Sequence, residues 1–407
     1  MDDESRQRFF KNKRQEGEGL GFSTECVHGG EEESREHASV EYPIYQTATY
    51  YFDNTQDLWD YYHKKSSRLS EYGRYGNPTI KVLEKKLALL EGAEEALVFP
   101  SGMAAFTTAL LFVCQTGDHI ILTNDGYRGI HKFCDKYLAR FGITHEYVPF
   151  ELGEIEKKIK PTTRLLFSEF PSNPRLRVLP LREVAMLCRQ KQVFFFLDAT
   201  FATPYNCSPL KYGVDLVLHS LTKYLGGHND LLGGALLGKK ELLEQLRLFQ
   251  GLLGSILEPH TAYLLLRSLK SFALRMKTIN ESAEKIAIFL ANHPKIERVW
   301  YPRLPSHPDY LVAKEYLKGG GGIVSFEVKG SLDEATRLVD NLYIPRIAAS
   351  LGGTESLVHV VTAMSYHDLS PEQRKAMGVA DNMVRLAVGL EDSEDLIRDL
   401  SQALEKV

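Results

Sequence analysis

The chain has 407 residues, of which 43% are hydrophobic and 25% charged, and these proportions are typical of globular proteins. A formal net charge of −4 and a pI near 6.4 argue against nucleic acid or an anionic membrane surface as a partner. No apolar run approaches the roughly 20 residues that a membrane-spanning helix needs. Because single cores stop growing at about 250–300 residues, the length predicts two domains.

The first 20 residues mix acidic and basic side chains and lack an apolar core, so we expect a solvated tail there. They predict neither a secretory signal nor an organelle transit peptide. The five cysteines are odd in number and include no CxxC pair, which argues against a zinc site and a disulfide framework. This pattern predicts a reduced chain in the cytoplasm.

Residues from about 21 to 75 are polar and aromatic with little periodicity, and they predict an arm that leans on a second subunit. From Ile80 onward, short apolar runs alternate with helical patterns, which favours a mainly parallel sheet covered on both faces. After Gly254 the patterns predict a long helical stretch and a smaller α+β domain. The predicted strands are 96–99, 119–123, 165–168, 193–197, 215–219, 322–328 and 358–363, and the predicted helices are 80–91, 104–113, 181–192, 262–292 and 393–407.

Two of these strands deliver a lysine and an acid to the same edge of the sheet. Lys223 follows the apolar run 216–218, and Asp198 ends the run 194–197. Pyridoxal phosphate requires this pair, because an amine bonds its aldehyde and a carboxylate faces its pyridine nitrogen. Lys223 as a surface charge and Asp198 as a turn cap are the alternatives. The pairing favours the cofactor.

Small and hydroxyl-bearing residues near this pair predict a phosphate site. Ser101-Gly102-Met103 joins a predicted strand to a predicted helix, where free N–H groups and the helix dipole attract an anion. A plain strand-to-helix connection is the alternative. Ser220 and Thr222 can donate hydrogen bonds to a phosphate. Thr200 is close enough to Asp198 in sequence to contact the cofactor, or it orders the following turn.

Two further residues are candidates for contacts with the ring and the substrate. Tyr127 follows the strand that ends at Thr123 and is placed to stack on a pyridine ring, with an ordinary core role as the alternative. Arg385 is a charge inside the apolar run 384–388, so it needs an anionic partner. The carboxylate of an amino acid suits its bidentate geometry. A structural salt bridge is the competing explanation.

Several short motifs, spread over most of the chain, are specific when they are taken together. They are Tyr72-Gly73-Arg74-Tyr75-Gly76-Asn77-Pro78-Thr79, Ser101-Gly102-Met103, Asp198 to Pro204, Ser220 to Tyr224, Gly227-His228-Asn229-Asp230, Ser350-Leu351-Gly352-Gly353 and Met364-Ser365-Tyr366. In this combination the chain resembles the pyridoxal-phosphate-dependent enzymes of cysteine and methionine metabolism. Within that family it is most similar to the plant-type cystathionine γ-synthases.

The resemblance implies an α/β fold, the fold type I of these transferases, with a mainly parallel seven-stranded sheet and a smaller C-terminal α+β domain. It implies an N-terminal arm over 1–75, a large cofactor-binding domain over 76–255 and a substrate domain over 256–407. It also implies a homotetramer, built as a dimer of dimers with shared active sites.

The resemblance assigns roles to individual residues. Tyr72 and Arg74 should reach the phosphate of the neighbouring subunit's cofactor. Lys223 and Tyr127 should be catalytic, with Tyr127 stacked on the ring. Asn173 should lie near the cofactor's phenolic oxygen and the substrate carboxylate. The remaining substrate contacts should come from Tyr75, Ser350 and Arg385.

Two departures from the family pattern concern the substrate. Plant-type enzymes carry a lysine where Gly129 stands, which puts a phosphate leaving group in question. The family also has a proline shortly after Leu357, and the run 358–362 lacks one.

The resemblance implies γ-replacement on an activated homoserine by cysteine or another thiol. The alternative is γ-elimination from another γ-substituted amino acid, such as a halogenated or unsaturated one. A non-catalytic paralogue is a third hypothesis, against which the intact Lys223 and Asp198 argue.

Overall fold

A computed structural model describes residues 20–31, 36–66 and 68–407. Most of the predicted N-terminal tail, residues 1–19, lies outside these ranges. Within them, no helix is long and apolar enough to cross a membrane. The same residues contain no group of three or more His, Cys, Asp or Glu that could hold a metal ion.

Seven strands form the large sheet, in the order β1-β7-β6-β5-β4-β2-β3. Among them β7 runs antiparallel to its neighbours β1 and β6, so the other six strands share one direction and end at one edge. This confirms the predicted mainly parallel sheet. The strands are β1 (Glu95–Phe99), β2 (His119–Thr123), β3 (Thr144–Val148), β4 (Thr163–Glu169), β5 (Phe194–Asp198), β6 (Leu216–Ser220) and β7 (Gly234–Gly238).

Apolar side chains pack on both faces of this sheet. Successive residues of a strand point to opposite faces, so Phe195 and Phe196 of β5 belong to two different buried clusters. Double-sided burial explains why these strands appear in the sequence as continuous apolar runs rather than as alternating patterns.

Five further strands form a smaller sheet in the C-terminal part of the chain, in the order β10-β11-β12-β9-β8. β10 pairs parallel with β11, and the other pairs are antiparallel. A separate buried cluster fills the space between this sheet and its helices. The strands are β8 (Ile296–Trp300), β9 (Ile323–Val328), β10 (Arg346–Ile347), β11 (Leu357–Val360) and β12 (Met383–Ala387).

Helices surround both sheets. They are α1 (Phe22–His28), α2 (Thr55–Tyr62), α3 (Pro78–Glu91), α4 (Gly102–Val113), α5 (Arg128–Tyr137), α6 (Leu152–Lys158), α7 (Leu181–Lys191), α8 (Thr203–Asn206), α9 (Lys240–Leu253), α10 (Pro259–Leu269), α11 (Phe272–Ala291), α12 (Tyr310–Tyr316), α13 (Leu332–Asp340), α14 (Val361–Met364), α15 (Pro371–Ala376) and α16 (Ser393–Glu405). Short 3₁₀ helices span Glu36–Ala38, Leu138–Phe141 and Pro209–Tyr212.

Two predicted elements differ from the structure. The predicted strand over 358–363 ends at Val360, the last residue paired with β12, and the chain then turns into α14. The predicted helix over 262–292 is two helices, α10 and α11. The Ser271 hydroxyl donates to the Ser268 carbonyl, and this local bond competes with a continuous helix at the break. The predicted boundaries between the arm and the two domains stay a prediction.

The aromatic cluster under the large sheet gives a test of the core. Phe196 is fully buried; its ring stacks on Phe106 at 6.0 Å and meets Phe167 edge-on at 5.2 Å. We expect Phe196→Ala to lower the free energy of unfolding by about 3–5 kcal/mol, because a cavity replaces the ring. Urea unfolding of the apoprotein, followed by circular dichroism, measures this loss. The control is Met186→Ala on the exposed face of α7, and equal midpoints for the two variants would contradict the assignment.

Candidate active site

A cavity of about 490 Å³ lies at the edge where the parallel strands end, and the C-terminal part of the chain closes it. Twelve of the predicted site residues line it. They are Ser101, Gly102, Met103, Tyr127, Asn173, Asp198, Thr200, Ser220, Thr222, Lys223, Ser350 and Arg385.

Lys223 follows β6 and points into the cavity, where its Nζ donates to Ser350 Oγ at 2.7 Å. Burial lowers the pKa of Lys223 from 10.5 to about 8, and the positive charge of Arg385 adds to this effect. A lysine with this pKa is uncharged far more often near neutral pH than a surface lysine. Because the uncharged amine is the nucleophile, Lys223 is prepared to attack an aldehyde.

Asp198 is the last residue of β5, and its carboxylate is held by Thr200. The Thr200 amide donates to Asp198 Oδ1 at 2.9 Å, and the Thr200 hydroxyl donates to the same oxygen at 2.5 Å. Burial raises the pKa of Asp198, whereas the two bonds from Thr200 lower it by stabilising the charged form. The result is a desolvated carboxylate, fixed in position and facing the cavity.

The predicted phosphate site lies where β1 joins α4. Ser101 caps α4 through a bond from the Ala104 amide at 3.0 Å, and the N–H groups of Gly102 and Met103 are the first two of the helix, which have no intrahelical acceptor. A Cβ at Gly102 would lie 3.2 Å from the Ser220 Cβ, so glycine keeps this approach open. Two free N–H groups and a serine hydroxyl therefore converge on one corner of the cavity.

Thr222 differs from its predicted role in one respect. Its hydroxyl accepts from the Gly233 amide at 3.0 Å and lies 3.3 Å from the Gly233 carbonyl. The side chain thus fixes the loop before β7 at the same time as it lines the cavity.

Arg385 of β12 is 6% exposed and has only uncharged acceptors. Its Nη1 donates to Asn173 Oδ1 and its Nη2 to the Ser350 carbonyl, both at 3.0 Å, while its Nε has no partner in the part of the chain that the structure describes. No carboxylate oxygen among the described residues forms an ion pair with it, which argues against a structural salt bridge in that part of the chain. Burial lowers the pKa of Arg385 to about 10. A buried cation of this kind calls for an anionic ligand.

Ser350 contacts two cations of the site, since its hydroxyl accepts from Lys223 and its carbonyl accepts from Arg385. Its φ of +97° is unusual for a residue with a side chain. At the nearby Gly352, a Cβ would lie 2.6 Å from the Tyr224 amide nitrogen, so the loop passes directly against the backbone that follows Lys223. A strained residue beside the reactive lysine is typical of a functional site.

The Tyr127 ring lies over the backbone at the start of α5. A Cβ at Gly129 would be only 2.4 Å from Tyr127 Cε1. The ring therefore occupies the place that a side chain at position 129 would need.

Tyr72, Arg74 and Tyr75 do not line the cavity of their own chain. The Arg74 guanidinium lies over the rings of Tyr72 and Tyr75, at 5.3 and 5.1 Å, and donates to the Gly251 carbonyl at 3.1 Å. The structure therefore places this motif against α9, away from Lys223.

The sequence patterns missed four titratable residues that line the cavity: Arg128, Lys132, Glu169 and His359. Glu169 ends β4 as Asp198 ends β5, so the same signal could have identified it. Arg128 and Lys132 are four residues apart and share one face of α5. His359 faces Arg385 across β11 and β12, a register that no local pattern reveals.

His359 is 3% exposed. Its Nδ1 lies 3.3 Å from the Ala348 carbonyl, and its Nε2 has no hydrogen-bond partner within residues 20–31, 36–66 and 68–407. Burial lowers the pKa of His359 to about 3, with a further contribution from Arg385. The imidazole is therefore uncharged and adds polarity to the cavity wall without adding charge.

The residues present fit pyridoxal phosphate. The cavity combines an amine of lowered pKa, a desolvated carboxylate on the neighbouring strand and a set of N–H and hydroxyl donors suited to a phosphate. Arg385 also lines the cavity, without a carboxylate partner among the described residues. Lys223 would bind the aldehyde, Asp198 would hold the ring nitrogen, and Ser101, Gly102, Met103 and Ser220 would surround the phosphate.

Comparisons with known proteins agree with this chemistry. Residues 23–405 match the family described as Cys/Met metabolism PLP-dependent enzyme. The chain is 42% identical over 385 residues to cystathionine γ-synthase 1, chloroplastic, of Arabidopsis thaliana, covering 94% of this chain and 68% of that protein. It is 39% identical over 386 residues to cystathionine γ-lyase of Bacillus subtilis, covering 94% and 99%. A crystal structure of cystathionine γ-lyase from Lactobacillus plantarum complexed with L-serine superposes with a TM-score of 0.89 at 35% identity, covering 95% and 99%.

A family match over nearly the whole chain, together with a cavity that has the required amine and acid, settles the assignment. The chain belongs to the pyridoxal-phosphate-dependent enzymes of cysteine and methionine metabolism.

Proposed function

We propose that the protein catalyses γ-replacement, in which cysteine or another thiol displaces the γ-substituent of an activated homoserine. The observation that carries the proposal is the pair of cations Arg128 and Lys132 in the wall of a cavity that already contains Lys223 and Arg385. The likeness to plant cystathionine γ-synthases, at 42–43% identity, supports the same reaction.

Each residue has a definite task in this proposal. When bound, pyridoxal phosphate accepts the electrons of a carbanion at the substrate α-carbon. Arg385 and Asn173 hold the α-carboxylate. The Lys223 amine moves protons at the α- and β-carbons as a general base and acid. Tyr127 stacks on the ring and moves a proton near the leaving group, and Ser350 orients the Lys223 amine.

The two cations on α5 share one carboxylate. Lys132 Nζ lies 3.0 Å and Arg128 Nη2 4.0 Å from the two oxygens of Asp368, and Arg128 Nε has no partner among the residues that the structure describes. The Arg128 guanidinium also lies 5.5 Å from the centre of the Tyr366 ring. This corner therefore carries one net positive charge. Such a charge favours an anionic γ-substituent, a phosphate or the free carboxylate of a succinyl group.

The second candidate function is γ-elimination from a different γ-substituted amino acid, such as a halogenated or unsaturated one. Gly129 without a charge and His359 in its uncharged form favour a less anionic substituent. The likeness to cystathionine γ-lyase of Bacillus subtilis and to L-methionine γ-lyase of Fusobacterium nucleatum, at 38–39% identity, is compatible with this reaction.

We also propose that the enzyme works as a homotetramer, a dimer of dimers with shared active sites, in which Tyr72 and Arg74 serve the neighbouring chain's cofactor and Tyr75 its substrate. Their position outside the cavity of their own chain supports this arrangement. A cytoplasmic location is part of the proposal. All five cysteines are buried and unpaired, which suits a reducing compartment.

A product assay with three activated homoserines tests the reaction. With O-phospho- or O-succinylhomoserine and cysteine we expect cystathionine, and without cysteine little keto acid. Lys132→Ala should raise KM for these two anionic substrates roughly ten-fold, because a partly exposed charge-assisted contact is lost. The KM for O-acetylhomoserine, whose acyl group is uncharged, should change little.

The matched control is Lys136→Ala, one turn further along α5 and exposed. A keto acid formed equally with and without cysteine would favour γ-elimination. An equal rise in KM for all three substrates would show that Lys132 does not act through the charge of the γ-substituent.

The lowered pKa of Lys223 predicts how the apoprotein takes up its cofactor. The uncharged amine is the reactive form, so the rate of covalent binding of pyridoxal phosphate should rise with pH and level off above about 8. Stopped-flow absorbance measures the rate, and borohydride reduction with peptide mapping should place the label on Lys223. An N-acetylated lysine amide in solution is the control. A midpoint near 10.5 in the protein would show that burial does not activate the amine.

Shared active sites predict complementation between inactive variants. Arg74→Ala and Lys223→Ala should each be inactive alone, whereas co-expression should restore about a quarter of wild-type activity, since one of the two sites in each mixed dimer is intact. The control pair is Asp198→Ala with Lys223→Ala. Both residues belong to the cavity of the same chain, so every mixed site is defective. If activity recovered in neither pair, or only in the control pair, Arg74 would not contribute to the active site of the neighbouring subunit.

A further inference from the structure

Three carboxylates lie at the carboxyl ends of neighbouring strands: the buried Asp125 after β2, the buried Glu169 at the end of β4 and the half-buried Asp198 at the end of β5. Glu169 and Asp198 are direct partners in the parallel register, so their side chains leave the sheet side by side on the same face. Two adjacent desolvated carboxylates do not both keep a negative charge unless each has its own compensation.

The compensation differs among the three. Asp125 forms an ion pair with Arg175 at 3.2 Å and accepts from the Ser172 hydroxyl. Asp198 accepts the two bonds from Thr200 and, in the proposed site, faces the ring nitrogen. Glu169 accepts a single short bond from the Tyr127 amide and has no ion pair among the described residues. Of the three, Glu169 therefore has the least compensation for a negative charge.

The other groups that face Glu169 do not change this conclusion. Asp198 and Asp125 oppose its ionisation, and Arg385 on β12 favours it without forming an ion pair. The pKa of His131 on α5 is lowered to about 4, chiefly by burial and also by Arg128, so this ring is uncharged near neutral pH. Burial, reinforced by Asp198, raises the pKa of Glu169 well above its usual value. Tyr366 is uncharged as well, because burial raises its pKa.

The contact from Glu169 to Tyr127 determines the position of a cavity residue. Tyr127 is the residue before α5, and its carbonyl accepts from the amides of Ile130 and His131. Its amide is fixed by Glu169, so its backbone is held from both sides. Gly126 leaves room for this contact, since a Cβ there would lie 3.1 Å from Glu169 Oε1.

We propose that Glu169 is a positioning residue that acts as an uncharged acid: it fixes the backbone of Tyr127, and hence its ring over the cavity, without placing a second negative charge beside Asp198. A charged Glu169 would favour protonation of Asp198 and weaken its hold on the ring nitrogen. The proposal rests on the cavity holding pyridoxal phosphate and does not depend on whether replacement or elimination follows.

Three substitutions at Glu169 distinguish the effect of the position of its acceptor oxygen from the effect of its charge. Glu169→Gln keeps the acceptor oxygen, its reach and the neutral state, and it should retain most of kcat. Glu169→Asp is one methylene shorter, and Glu169→Ala removes the acceptor. Both should lower kcat by about 10- to 100-fold, because small displacements of a positioned group have effects of this size. Both should also alter the circular dichroism of the bound cofactor, a readout that does not need turnover.

Infrared difference spectra of the apoprotein, wild type minus Glu169→Gln, test the protonation state directly. We expect the C=O band of a protonated carboxyl group at neutral pH, which disappears as the pH is raised. Asp215→Asn is the matched control. Asp215 also accepts a strand amide, that of Phe195 at 2.8 Å, but it lies before β6 at the opposite end of the sheet and should leave the cofactor spectrum unchanged.

The proposal would be overturned if Glu169→Gln lowered kcat as much as Glu169→Ala does. It would also be overturned if the infrared band of a protonated carboxyl group were absent at neutral pH. If a substitution at Glu169 prevents folding, Gly126→Ala tests the same contact. Its added methyl group would lie against the Glu169 carboxyl group and displace it without changing residue 169. It should reproduce the spectral change of Glu169→Asp, and an unchanged cofactor spectrum would count against the proposal. Failure of the γ-reaction alone, with the infrared and cofactor spectra as expected, would affect the proposed function and leave the role of Glu169 standing.

Discussion

The active site depends on the hydrogen bonds that join the ends of β5 and β6. The Ser220 amide donates to the Thr200 hydroxyl at 2.8 Å, and that hydroxyl donates to Asp198. One threonine therefore fixes both the acid at the end of β5 and the backbone that leads from β6 to Lys223. Because both strands are buried on both faces, neither end can shift without disturbing the core. The distance between amine and acid is thus set by the sheet itself.

The cavity holds charges that folding alone would not favour. Arg385 lacks a carboxylate partner among the described residues, Lys223 has only a hydroxyl at hydrogen-bonding distance, and two acids lie side by side. In each case burial moves the pKa towards the uncharged form. Replacing such groups by apolar residues often stabilises a protein, so their presence points to ligand binding. A cofactor with a phosphate and a ring nitrogen, and a substrate with a carboxylate, provide the missing partners.

Much of the fold could be predicted from the sequence because its signals are local. Buried parallel strands appear as continuous apolar runs, and the run that ends in Asp198 and the run before Lys223 are of this kind. β3 lacks such a run, since at the sheet edge its Thr144 is exposed and its His145 to Tyr147 are only partly buried, and β7 begins and ends with glycine. The break between α10 and α11 depends on a serine hydroxyl, whose choice of acceptor no periodicity reveals.

The site residues likewise divide into those that a local sequence pattern reveals and those that it does not. Asp198, Lys223 and the turn before α4 lie next to strong strand signals, and Glu169 could have been found by the same rule. His359 enters the cavity through the register of β11 with β12, so its role depends on residues far away in the sequence.

The departure at Gly129 concerns a single position of the cavity wall. A missing lysine there indicates a cavity without a positive charge for the substituent. On a helix, however, residues three and four apart lie on the same face, so Lys132 shares a face with Gly129, three residues before it, and with Arg128, four residues before it. The Tyr127 ring occupies the space above Gly129, so a charge is better placed on the neighbouring positions. The physical quantity that matters for the substrate is the net charge of the cavity wall, to which several residues contribute, rather than the residue at one aligned position.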